Sequence, residues 1–164
     1  MAGARLEGRQ QAHSAAMASI EELERRFAKN INELVKEIDV HIKALTPVNT
    51  GQAVRNYIWT RGVANMVVYE AIDNGAPGNT NTMSLGAEPR RNINEDAAAD
   101  SLASLGISAD PFGVIILANN SPDIVGLEMG ILPGPPFKSR SPRGMFGVTD
   151  AYFNTLVSAQ GILK

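Results

Sequence analysis

Glu95, Asp96 and Asp100 are the residues with the clearest chemical potential. Asp96 and Asp100 stand one helical turn apart. Paired carboxylates at that spacing hold a divalent cation, or share general acid and base work. A small metal-assisted hydrolase is therefore the one enzyme class that these residues permit. Acidic residues also belong in the first turn of any helix, where they meet free amides and the positive end of the dipole. A solvated helix start is the simpler reading. His41 lies beside an apolar helical face with no carboxylate or nucleophile at triad spacing, and so reads as a core-edge histidine. His13 sits in a weakly patterned terminus. There is no cysteine, which excludes disulfides, thiolate nucleophiles and thiolate metal ligands. Neither a phosphate-cradling glycine loop nor a dinucleotide fingerprint occurs. Arg90, Arg91, Lys138, Arg140 and Arg143 lack interleaved aromatics, so contact with solvent or an acidic neighbour explains them better than nucleic acid. The run Pro135-Pro136-Phe137-Lys138-Ser139-Arg140 reads as an irregular arm or as an extended ligand for a partner's groove. No catalytic, metal or cofactor site is expected.

Size and charge point the same way. A chain of 164 residues, 44% hydrophobic, suits one domain with a real core. Its net charge of −2 hides an asymmetry. Residues 1–62 carry nine Lys/Arg against seven Asp/Glu, residues 63–134 two against nine, and residues 135–164 four against one. An acidic middle between mildly basic ends does not describe a nucleic-acid reader. It suits assembly in which unlike patches on neighbouring copies meet. No run spans a bilayer, and the N-terminus lacks an apolar signal core, so cytoplasmic synthesis without secretion is expected.

The elements follow from periodicity and punctuation. Residues 1–18 have little apolar pattern and form an N-terminal arm, either a frayed helix or a flexible terminus. Ser19 and Glu22 have capping-box spacing. From there Ile20, Leu23, Phe27, Ile31, Leu34, Ile38, Ile42 and Leu45 make one face of a helix of roughly seven turns. Glu21, Glu24, Arg25, Lys29, Glu33, Lys36, Glu37 and Lys43 make the opposite, polar face. Pro47 stops the helix near Thr46, and Gly51 allows a reversal. A strand over 56–60 follows, with Tyr57 and Trp59 on one side and Ile58 on the other. A second short strand is predicted over 65–69, a loop over 73–82, and a helix over 93–105 capped by Asn92 or Asn94. Residues 112–118 read as a strand buried on both faces. A short helix begins at Ser121-Pro122. A long Pro- and Gly-rich loop covers 130–143, and the last helix covers 145–157. The fold class is α+β: a long N-terminal helix on a small, mainly antiparallel sheet, with an inserted helix and a C-terminal helix. The domain proper spans 19–164.

Three blocks in order resemble one family. Thr46-Pro47-Val48-Asn49-Thr50-Gly51, continued through Arg55 to Trp59, resembles a Thr-Pro-Val-Asp-Thr-Gly signature that follows a long first helix. Asn119-Asn120-Ser121-Pro122, with Leu127-Glu128-Met129-Gly130, resembles a strand, Asn-Asn-x-Pro and Leu-Glu-x-Gly block. Ser141-Pro142-Arg143-Gly144-Met145-Phe146 resembles a Pro-x-Gly-Met block before a last helix. The family is that of the neck, or tail-completion, proteins of long-tailed phages. Asn49 and Gln52 depart from its usual Asp and Arg, and Asp123 from its usual Tyr. The resemblance implies a non-enzymatic virion protein, made in the host cytoplasm. It implies a ring of six copies, or of twelve, at the head–tail junction. Its partners would be other copies, the portal-side connector, and the tail tube or tail terminator. DNA would pass through the channel only as cargo, and no membrane is involved. Tail terminator or minor tail component is the alternative position. The loop with Pro135, Pro136, Phe137, Lys138 and Arg140 is the expected interface.

Overall fold

The computed structural model describes residues 2–46, 52–72, 87–132 and 144–160. Seven elements follow one another: α1 Ala2–Leu45, α2 Gln52–Arg55, β1 Tyr57–Arg61, α3 Ala87–Ala103, β2 Ile115–Asn119, α4 Ile124–Glu128 and α5 Met145–Gln160. The class is α+β, as expected.

Helix α1 is 44 residues long, about 66 Å at 1.5 Å per residue. It runs unbroken through Ser19, so the predicted capping box does not form. The Ser19 hydroxyl instead donates back to Ala15 O at 2.9 Å. Glu22 turns to Arg25 and Arg26, and these two guanidiniums hold its carboxyl below the usual range, Arg26 most. Every residue from Glu7 to Glu21 is exposed. Ile20 and Leu23 are exposed too, so the apolar stripe becomes core only from Phe27 onward.

The sheet has two antiparallel strands, with Tyr57 opposite Asn119, Trp59 opposite Leu117 and Arg61 opposite Ile115. One core cluster joins Ala28 and Val35 of α1 to Trp59, Leu105 and Ile107. The other joins Ile42 to Ala53, Tyr57, Leu127 and Met145. Leu117 packs against both. The expected alternation in β1 holds: Tyr57 and Trp59 each join a core cluster with α1, whereas Ile58 joins neither.

Other expectations change too, and α4 begins at Ile124 rather than at Ser121-Pro122. Residues 65–69 join no ladder; side chains take the place of a partner strand there, as described below. Helix α3 starts at Ala87, well before the predicted 93, so Asn94 is internal rather than a cap, and Glu95 and Asp96 are not in the first turn. The second strand is shorter than 112–118 and is half-buried rather than sealed on both faces. Phe112 and Val114 are exposed. Lys43, assigned to the polar face, is buried. Its ammonium lies 2.7 Å from Asp39 Oδ2, and Asp39 Oδ1 accepts the Trp59 indole N–H at 2.8 Å. The helix pattern counted charge and could not see that the sheet's only tryptophan would bring a donor to the same carboxylate.

Candidate functional site

Glu95, Asp96 and Asp100 do not form a metal centre. Asp96 and Asp100 are exposed. Among the described residues, no three His, Asp or Glu side chains come together in a way that would hold a metal ion. Asp100 does border a groove of about 420 Å³ between β1, α3 and residues 65–69, with Arg55 also on its wall. Ser101 and Ser104 line it, but no histidine stands beside either one to act as a base. Ser101 Oγ donates to Ala98 O and accepts the Trp59 amide, and Ser104 Oγ donates to Ser101 O. The Ser101 hydroxyl ties the helix to the strand, and that of Ser104 bonds back to α3. His41 is a core-edge residue, as expected: Nδ1 is 3.2 Å from Thr149 Oγ1, and its ring stacks on Tyr152 at 4.2 Å, fixing α5 to α1.

The three sequence blocks meet at one place. At the end of α1, the buried Thr46 hydroxyl donates to Ile42 O at 2.8 Å and lies 3.0 Å from the Tyr57 hydroxyl. Tyr57 is fully buried, and its hydroxyl is 3.5 Å from Met145 Sδ at the start of α5. Asn119 Nδ2 donates to Ala53 O at 2.7 Å, and Asn119 Oδ1 accepts the Ser121 amide at 3.0 Å. Glu128, at the end of α4, sends its carboxylate to the start of α5. It accepts the amides of Met145 at 2.7 Å, Phe146 at 2.9 Å and Gly147 at 3.2 Å. A helix leaves its first amides without partners, and an anion there satisfies them and the dipole together. Gly144 precedes this cap with φ +82°, and an added Cβ would lie 2.3 Å from Glu128 Oε1. Gly130, at φ +69°, lets the chain leave α4.

No family model, curated protein or solved structure matches this chain.

The junction therefore rests on its own geometry. Thr46, Asn119, Glu128, Gly144, Met145 and Phe146 gather there, and Trp59 lies in the neighbouring cluster. Arg55 faces the groove instead. Asn120 reaches the segment after β1, donating to Asn65 O at 2.5 Å. Pro122 is exposed. Pro47, Thr50, Gly51 and Pro142 lie outside the described residues, as do Pro135, Pro136, Phe137, Lys138 and Arg140. Sequence reasoning missed the capping role of Glu128. The signal was a carboxylate and a Gly-Met pair, with Glu128 and Met145 17 positions apart, and no local rule links them. It also missed two buried asparagines. Asn56 accepts the Tyr69 amide at 2.8 Å and donates to Tyr69 O at 2.6 Å. Asn94 does the same for Ile72, at 2.9 and 3.2 Å. Each amide group imitates a strand's paired donor and acceptor.

Burial pushes the Tyr57 hydroxyl well above its ordinary value of 10.0, with Glu128's charge adding to the effect. A group whose neutral form is favoured by folding contributes stability that is present below the unfolded value. That stability is lost as pH rises past it, because only the unfolded chain then releases the proton. Denaturation titrations from neutral pH to above about pH 10 are expected to show stability falling more steeply in wild type than in Tyr57→Phe. Parallel curves would remove Tyr57 from the account.

Much of the described surface is apolar. Leu23 on α1, Val63, Met66 and Val67 after β1, and Val125, Met129 and Ile131 around α4 are each more than half exposed. No helix among the described residues is long and apolar enough to cross a membrane.

Proposed function

We propose that this chain is a structural virion protein that forms a ring at the head–tail junction of a long-tailed phage. It would join the portal-side connector to the tail tube around the DNA channel. The observation that carries the reading is the convergence of the three resembling blocks. Residues far apart in sequence, Thr46 and Tyr57, Asn119 and Glu128, and Gly144 to Phe146, build one buried junction. That junction sets the angles between α1, the sheet, α4 and α5. A ring subunit needs those angles fixed, because a small error in rotation per copy prevents closure. Exposed apolar surface on both α1 and the segment after β1 supports assembly rather than catalysis. The groove, with its hydroxyls already engaged, offers no activated nucleophile.

Electron cryo-microscopy of the particle tests the reading. A ring of this protein is expected between connector and tail, and lysates lacking the protein should accumulate filled heads beside unattached tails. Density at the tail tip, or a protein absent from the particle, would overturn it. A cap on the tail tube that leaves the connector untouched would favour the tail-terminator position instead.

A further inference from the structure

We infer that the groove beside β1 binds a small zwitterion of the amino-acid type, with its carboxylate on Arg55 and its ammonium on Asp100. This ligand site is independent of the assembly reading above.

The groove is preformed. It lies between β1, α3 and residues 65–69, and its volume of about 420 Å³ falls within the range of small-molecule sites. Most polar side chains on its walls are already held by the chain. The Thr60 hydroxyl donates to Val63 O at 2.7 Å. Asn65 Nδ2 donates to the Tyr69 hydroxyl at 3.2 Å, and Asn65 Oδ1 accepts the Val67 amide at 2.7 Å. The hydroxyls of Ser101 and Ser104 are engaged as described above. These bonds fix the walls, so little ordering is left for a ligand to impose.

Two charged groups on the walls are not held, and they have opposite signs. Arg55 ends α2 and is half-buried, yet its guanidinium has neither an ion pair nor a hydrogen bond. That sets it apart from the other cations whose side chains are described. Lys43 and Arg61, which are buried or half-buried, each have a carboxylate. Arg25, Arg26 and Lys29 are exposed and paired, and Arg9 and Lys36 are exposed. Taking part of a guanidinium out of water without an acceptor costs free energy, which an incoming anion recovers. Asp100 lines the same groove from α3, and its carboxylate has no donor in the chain. The two groups do not pair with each other.

The chemistry of the ligand follows. The planar fork of a guanidinium fits a carboxylate or a phosphate. One cation with one anion beside it favours the carboxylate, because a phosphate dianion would bring more negative charge than Arg55 balances with Asp100 present. Asp100 in turn calls for a donor, and an ammonium supplies both the hydrogen and the charge. A molecule that carries these two groups a few bonds apart is an amino acid. Ile58 and Tyr69, also on the walls, offer apolar surface to its side chain.

Isothermal titration calorimetry of the full chain with leucine and with phenylalanine tests the site. A dissociation constant of about a millimolar is expected for at least one of them, as befits so small a ligand. Arg55→Gln and Asp100→Asn should each weaken binding about tenfold, the effect of removing one partner of a charged hydrogen bond. The amino-acid amide, which lacks the carboxylate, and the N-acetyl derivative, which lacks the ammonium, should lose as much on the wild-type protein. Neither Arg55 nor Asp100 has a side-chain partner in the chain, so both variants should melt with the wild type, and lost binding then reports the site rather than the fold. No binding of either amino acid at about ten times the expected constant overturns the inference. Binding that survives Arg55→Gln overturns it too, and so does inorganic phosphate that binds as tightly as the amino acid. None of these results bears on where the protein sits in the particle, so the neck reading stands or falls separately on the microscopy.

Discussion

Asp39→Ala should be among the most damaging single substitutions in this protein, costing about 3 kcal/mol. The carboxylate is buried and does two jobs. One oxygen holds the Lys43 ammonium at 2.7 Å and the other holds the Trp59 indole at 2.8 Å. Truncation removes the anion but leaves a cation inside, and a buried charge deprived of its counterion costs more than the intact pair contributed. In a domain of this size the loss should appear as a fall in melting temperature of roughly 10 °C. The pair as a whole is another matter. Replacing both residues with apolar ones, Asp39→Leu with Lys43→Met, removes the two desolvation costs together. The double variant should lose only about 1 kcal/mol, chiefly from the indole N–H that no longer has its acceptor. Urea denaturation of the single and double variants checks this. A double variant as unstable as the single one would mean that the ion pair is a net source of stability.

Gly144→Ala is expected to cost about 3 kcal/mol, from two causes. The backbone there has φ +82°, which a Cβ makes strained. The same Cβ would lie 2.3 Å from Glu128 Oε1 and 2.7 Å from Glu128 O. The side-chain oxygen can withdraw, but only by leaving the three amides that it caps, and the main-chain oxygen cannot move alone. Glu128→Ala should by itself cost about 2 kcal/mol, the upper range for losing a cap. The two changes act on one contact, so they should not add. Gly144→Ala placed on Glu128→Ala should cost less than it does on wild type, and a double-mutant cycle by thermal unfolding measures the difference. Strict additivity would show that the cap and the glycine act independently.

These two sites mark where the sequence was readable and where it was not. The long helix, the strand at Tyr57–Arg61, the final helix and the α+β class follow from period and punctuation. Those signals are local, and each element here obeys them. The strand expected at 65–69 has strand-like residues, but Asn56 and Asn120 from elsewhere take the place of its ladder. The early start of α3 lies in residues whose sequence, Ala87 to Arg91, carries no apolar stripe to announce a helix. Asp39 and Lys43 were visible as a helical pair, but not as a buried one, because burial depends on Trp59 arriving from the sheet. Glu128 was legible only as part of a block that resembles a family. Its capping of α5 joins residues 17 positions apart, a relation that period and propensity do not encode. Of the residues singled out for assembly, those between Pro47 and Gly51 and between Pro135 and Pro142 lie outside the described residues. The junction is therefore known from its other members.

The exposed first half of α1 has one more consequence. From Glu7 to Glu21 every residue is exposed, so its helicity rests on backbone hydrogen bonds and local contacts such as that of the Ser19 hydroxyl with Ala15 O. A stretch of that length held by propensity alone sits near the midpoint of the helix–coil equilibrium. Its attachment to the packed half supplies the nucleus, and helicity weakens with distance from that half. Any surface that covers Met17, Ile20 and Leu23 would therefore do more than bury apolar area. It would also draw the equilibrium towards helix, so part of the association energy would go into holding that half of α1 helical.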